Sequence, residues 1–225
     1  MELRAEKLSR RFLRAGRGTN IFHAVREAEL VLPAGKLVEI TGRSGSGKST
    51  LLHMLAGLLA PTEGRVLLDD RDLYALDDPA RSALRGRCIG VIPQGQTALH
   101  SLSVLENVLL PSRMAGEEAD ASRARALLER VGIGELCGVR PSELSGGELR
   151  RLAIARALMR GPAVLLADEP TGDLDDENTA AVLRLLRGTA DEGTAVLLVT
   201  HEREAAAYAD AIYTMREGRL SEAGR

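Results

Sequence analysis

The sequence predicts an α/β fold carrying an inserted α-helical lobe, and three patterns predict it. Short apolar runs alternate with helical stretches towards both ends of the chain. A glycine-rich turn separates one such run from the helix after it, and between residues 96 and 160 the strand pattern stops. Runs at 36–40, 66–69, 88–92, 163–168 and 195–200 read as strands, several apolar enough to be buried on both faces as parallel strands are. Helices are expected at 48–58, at 176–186 with Val182, Leu185 and Leu186 on one face, and at 202–208. The strand-free stretch reads as helices at 104–110, at 117–131 with Ala126, Leu127 and Val131 on one face, and at 147–159. Residues 211–215 and 219–220 flank Glu217 and Gly218 as a small hairpin. The expected layout is one domain over 1–225, its core formed by 1–95 and 161–225 and its helical lobe by 96–160.

With 225 residues, 44% hydrophobic and 28% charged, the chain can bury the core of one domain without outside help. A formal charge of -2 and a pI near 6.1 provide no basic field for nucleic acid, so no nucleic-acid partner is expected. Cys88 and Cys137 have no CxxC or His/Cys ligand spacing and read as two buried, reduced thiols. The N-terminus lacks the continuous apolar core of a signal peptide. The longest apolar stretches, 163–167 and 195–199, fall far short of the roughly 20 residues that cross a bilayer, so no span is expected.

The strongest motif is GRSGSGKST at 42–50, which follows an apolar strand and opens a helix, as a P-loop must. Gly42, Gly45 and Gly47 let the backbone curl so that its N–H groups, with those of Arg43, Ser44 and Ser46, point at phosphate oxygens. Lys48 supplies a point charge for the β- and γ-phosphates, and the Ser49 hydroxyl, beside Thr50, suits Mg²⁺. Only Lys7, Lys36 and Lys48 are lysine among 30 basic residues, so a lysine kept at 48 points the same way.

The apolar run at 163–168 ends in two carboxylates. Asp168 would hold Mg²⁺ directly or through water, and Glu169 is placed to polarise an attacking water. LSGGE at 144–148 reads as a helix start: Ser145 can cap it, while Gly146 and Gly147 let amides approach an anion.

These motifs, with Gln94 at a strand end, GDLD at 172–175 and VTHE at 199–202, stand in an order that resembles the ABC transporter nucleotide-binding domain over almost the whole chain. The resemblance implies a mixed sheet flanked by helices, an antiparallel β part at the N-terminus, and ATP and Mg²⁺ as ligands. It implies that Ser145, Gly146, Gly147 and Glu148 form the signature that binds the γ-phosphate of ATP held by an opposite subunit. Two composite sites then form in a head-to-tail homodimer. Gln94 looks like the Q-loop residue, touching Mg²⁺ or the attacking water, and His201 like the switch histidine. Asp175 looks like the D-loop aspartate, and Phe12 falls where the family stacks an aromatic on adenine, with Phe22 nearby.

Two residues depart from the commonest family pattern, and a third leaves the register of the Q-loop open. Glu148 replaces glutamine, Pro93 replaces an aromatic, and Gln96 offers an alternative register for Gln94. DEPTGDLDD and LENVLLP resemble the branch of macrolide-exporter, lipoprotein-releasing and cell-division ATPases. That branch implies an ATPase in the cytoplasm, peripheral on the inner face of the cell membrane through an integral membrane permease subunit. His23, His53 and His100 match no family motif and read as structural or solvent-facing.

Overall fold

The computed structural model describes residues 1–14, 20–95, 97–172 and 174–223. In chain order its strands are β1 (Leu3–Arg14), β2 (Asn20–Leu32), β3 (Leu37–Thr41), β4 (Glu63–Leu68), β5 (Arg71–Asp72), β6 (Ile89–Ile92), β7 (Val164–Asp168), β8 (Ala195–Val199), β9 (Ala211–Arg216) and β10 (Arg219–Glu222). Among the described residues they form an antiparallel sheet ordered β2-β1-β4-β5 and a larger one ordered β10-β9-β3-β8-β7-β6. In the larger sheet every pairing is parallel except β9 with β10. The helices are α1 (Lys48–Leu55), α2 (Asp78–Cys88), α3 (Val104–Met114), α4 (Ala121–Arg130), α5 (Gly146–Leu158) and α6 (Asp176–Asp191).

The apolar runs become central strands because helices cover both faces of the larger sheet. β7 and β8 are buried at every residue. In β3 the period of two divides the core: Val38 and Ile40 join Leu51, Leu52 and Leu55 of α1, while Leu37 joins Leu183 and Leu186 of α6. The start of β3 is pinned by Asp210, whose carboxylate accepts from the Leu37 amide (2.8 Å), Lys36 Nζ (3.0 Å) and Arg187 Nη1 (2.7 Å).

Several expected boundaries move, and capping explains most of the shifts. The strand expected from residue 88 begins at Ile89, because Cys88 is the last residue of α2, a helix absent from the sequence reading. Its signal was present: Asp77 accepts from the Ala80 amide at 2.9 Å, with Pro79 in the first turn. The helix expected from 117 starts at Ala121, where Asp120 accepts from the Ser122 amide (2.9 Å) and the Arg123 amide (3.0 Å). Residues 202–208 form only a 3₁₀ turn, Arg203–Ala207, instead of the expected α-helix. Cys88 is buried as expected, whereas Cys137 is half-buried and its Sγ donates to the Gly134 carbonyl at 3.0 Å.

In the helical stretch α3 packs on α4 and α5. Ser103 and Glu106 cap α3 reciprocally, at 3.2 and 2.8 Å. The fully buried Asn107 then ties down the preceding turn through Leu99, Leu102 and Ser103.

Candidate functional site

β3 stops at Thr41 and the chain turns through six residues before α1. Gly47 sits at φ +109, where a Cβ would lie 2.1 Å from the Ala24 carbonyl oxygen, so no other residue fits. It is also the N-cap of α1, and among the described residues no side-chain cap bonds the first amides of that helix. Those N–H groups are left for an anion at the positive end of the dipole. Lys48 is buried, and its Nζ donates to the carbonyls of Gly42 (2.7 Å) and Arg43 (3.2 Å), which holds the ammonium over the turn.

This turn forms one wall of a cavity of about 960 Å³. Gly42, Arg43, Ser44, Gly45, Gly47, Lys48, Ser49 and Thr50 line it, with Gln94, Gly95, Glu169, Gly172 and His201 across from them. Ser46 instead turns inward, buried, its amide donating to the Arg43 carbonyl at 3.1 Å. A second cleft of equal volume runs along β1, β2 and β4, lined by charges of both signs such as Arg4, Lys7, Glu27 and Arg65; it touches none of these groups.

Asp168 ends β7 almost fully buried, and its Oδ1 has no hydrogen-bond partner among the described residues. Such an oxygen is costly unless it meets a cation or a donor. Glu169, one residue on, has φ +47, a conformation that costs a non-glycine residue about 1–3 kcal/mol and so marks a constrained position. Its amide donates to the Val199 carbonyl at 2.8 Å, and its Oε2 lies 2.8 Å from His201 Nδ1. The arrangement brings together a phosphate cradle, a buried hard oxygen and a carboxylate able to orient water.

Ser145, Gly146, Gly147 and Glu148 lie outside that cavity. Ser145 caps α5, and Glu148 Oε2 accepts from the Ser145 amide (2.7 Å) and hydroxyl (2.8 Å), which holds the Glu148 carboxyl below its usual range. The departure from glutamine therefore completes a capping box with a charged acceptor at the positive end of α5. A Cβ on Gly147 would come 3.0 Å from Asn178 Oδ1, so the glycine seats α5 against the start of α6. Asp175 caps α6, and the backbone and side-chain bonds from Asn178 (2.8 to 3.0 Å) lower its pKa.

The ABC transporter family profile matches residues 25–172. The lipoprotein-releasing system ATP-binding protein LolD of Xanthomonas campestris pv. campestris (strain 8004) is 40% identical over 223 residues, covering 98% of this chain and 92% of that protein. The chain belongs to the ABC transporter family. It is an ABC ATPase, the ATP-binding and ATP-hydrolysing kind of subunit. The pyoverdine export ATP-binding/permease protein PvdT of Pseudomonas aeruginosa is 42% identical over 207 residues, 91% of this chain but 31% of that longer protein. Among solved structures, dimeric MJ0796, a bacterial ABC transporter cassette, superposes with a TM-score of 0.90 at 31% identity, covering 99% of this chain and all of that one. A post-hydrolysis dimer of the same cassette, bound to ADP and Pi, has a TM-score of 0.89.

In this ABC ATPase the expected aromatic, Phe12, is paired across the strands with the one that lines the cavity. Phe22, not Phe12, lines the cavity, and the Arg10 guanidinium lies 4.7 Å from the Phe12 ring. Gln94 faces the cavity, and its alternative Gln96 lies outside the described residues, as does Asp173 of the GDLD stretch. Sequence reasoning missed Arg150, a buried arginine on α5 that also lines the cavity. Changing Gly47 to alanine is expected to abolish ATP binding, because the turn cannot close over the Ala24 carbonyl; equilibrium titration with a fluorescent ATP analogue reads it directly.

Proposed function

We propose that this ABC ATPase hydrolyses Mg²⁺-ATP as a head-to-tail dimer of two copies and passes the movement to an integral membrane permease subunit. The division of the motifs carries the reading: one cavity gathers Lys48, Gln94, Glu169 and His201, while Ser145, Gly146, Gly147 and Glu148 open a helix outside it. A glycine-rich helix start with Ser145 and Gly146 exposed suits a γ-phosphate presented by a second copy.

Asp168, whose Oδ1 has no partner among the described residues, the Ser49 hydroxyl and the Gln94 amide oxygen would hold Mg²⁺, which favours hard oxygen donors. Bound there, the cation would supply positive charge against the β- and γ-phosphates. Lys48 adds charge to the same phosphates, and Glu169 orients the attacking water. His201, 2.8 Å from Glu169, contacts the γ-phosphate. Asp175 communicates across the dimer, and adenine stacks at the Phe12–Phe22 pair.

Similarity to a lipoprotein-releasing ATP-binding protein and to a pyoverdine exporter supports export or extracytoplasmic remodelling as the work done. No helix among the described residues is long and apolar enough to cross a membrane. The chain then sits in the cytoplasm, peripheral on the inner face of the cell membrane through its partner.

Steady-state phosphate release tests the reading. The rate per molecule is expected to rise with protein concentration, because each site needs two copies, and Lys48→Ala is expected to abolish it. A rate per molecule constant over a wide dilution series would sink the dimer, and release that survives Lys48→Ala would sink the site.

A further inference from the structure

Arg150 is only 8% exposed, and a guanidinium does not shed its charge to suit a dry environment. Its burial therefore has to be matched by acceptors. Nη1 donates to the Gly95 carbonyl at 3.1 Å and, more loosely, to the Pro93 carbonyl at 3.5 Å, the two carbonyls that flank Gln94. Nη2 lies 4.0 Å from where a Gly172 Cβ would stand, so the other arm packs against the segment that follows Glu169. The side chain thus reaches from α5 into the wall of the nucleotide cavity between Gln94 and Glu169.

A second arginine of α5 holds the same loop further along. Arg156 donates to the Thr97 carbonyl at 2.7 Å and bonds the Thr97 hydroxyl. α5 is also the helix that Ser145 caps, so the loop bearing Gln94 is fastened at two points to the element that carries the signature residues.

We propose that Arg150 is a positioning residue for Gln94: by gripping the carbonyls on either side, it fixes where the amide points and makes its placement follow α5. The assignment rests on the proposed role of Gln94 in hydrolysis. Arg150 touches loop carbonyls, whereas ATP is held by the turn before α1. The effect therefore falls on turnover and not on nucleotide affinity.

The test is a double-mutant cycle on the full chain, read by phosphate release across ATP concentrations. Arg150→Ala is expected to lower kcat by about tenfold or more with KM for ATP within about threefold of the parent. In a Gln94→Ala background the same change is expected to cost nothing further, because the residue it positions is gone. Arg150→Lys keeps the charge and one donor, and is expected to recover most of the lost rate. Additive losses in the cycle, or a KM that rises as kcat falls, would overturn the proposal. So would an unchanged kcat in Arg150→Ala beside a slow Gln94→Ala. If Gln94→Ala itself runs at the parent rate, the Gln94 assignment fails instead. Should Arg150→Ala not fold, Arg150→Met, which keeps bulk but offers no donor to the two carbonyls, is read the same way in both backgrounds: a kcat loss that vanishes with Gln94 removed supports the clamp, and no loss or one that persists refutes it.

Discussion

Changing Glu169 to glutamine is expected to lower phosphate release by about a hundredfold or more, the usual contribution of a positioned general base, while ATP binding survives. The side chain is held from three directions: by φ +47 at its own backbone, by its amide on the Val199 carbonyl, and by His201 Nδ1 at 2.8 Å. Glutamine matches its shape and keeps an oxygen for the histidine, so geometry is retained and only the basic oxygen is lost. With hydrolysis blocked, ATP stays bound and the two copies stay together, so gel filtration in Mg²⁺-ATP is expected to show an accumulating dimer that the parent does not. A variant that turns over ATP at the parent rate would remove Glu169 from its role and move the search to other groups on the cavity wall.

How far the sequence could lead depended on whether a signal was local. The run through β3, the glycine turn and α1 was legible because a strand, a left-handed glycine and an uncapped helix start each leave a mark within a few residues. α2 was equally local, since Asp77 and Pro79 are an N-cap and first-turn proline; it was missed because the helix is mostly polar and Cys88 is its only buried residue. Glu148 as a cap partner could also have been read from Ser145 three residues earlier. Long-range facts were different. That Phe22 rather than Phe12 reaches the cavity depends on how the β1–β2 pair lies across the turn before α1. That Arg150 grips the loop at 93–95 depends on α5 packing beside β6, across more than 50 residues of chain. Glu39 was invisible for the same reason: a lone carboxylate in an apolar strand is a common pattern, and only the packing above it decides its state.

Glu39 leads to the second large effect, on stability and not on turnover. It stands in the middle of β3, opposite Leu198 of β8 and Ile212 of β9, with 0% of its surface exposed and both carboxylate oxygens without a partner among the described residues. Burial alone pushes its pKa from 4.5 up to about 7. The folded chain therefore keeps the proton over a range in which the unfolded chain releases it. The stability at stake is fully present below about 4.5, declines as pH rises towards about 7, and stays lost above that. The shift corresponds to about 3 kcal/mol. Asp210 carries the opposite linkage: burial raises its pKa, but bonds from Arg187, the Leu37 amide and Lys36 outweigh this and bring it to about 2, so its contribution fades only in stronger acid. Glu39→Leu is close in volume and needs no partner. It is expected to stabilise the chain at pH 8 by about 3 kcal/mol, roughly 6–12 °C in Tm for a domain of this size, with a much smaller gain at pH 5. Paired thermal or urea melts of parent and variant from pH 5 to 8 measure it. A stability gap that stays constant across that range would mean that the Glu39 carboxyl is ionised in the folded chain and has found a partner.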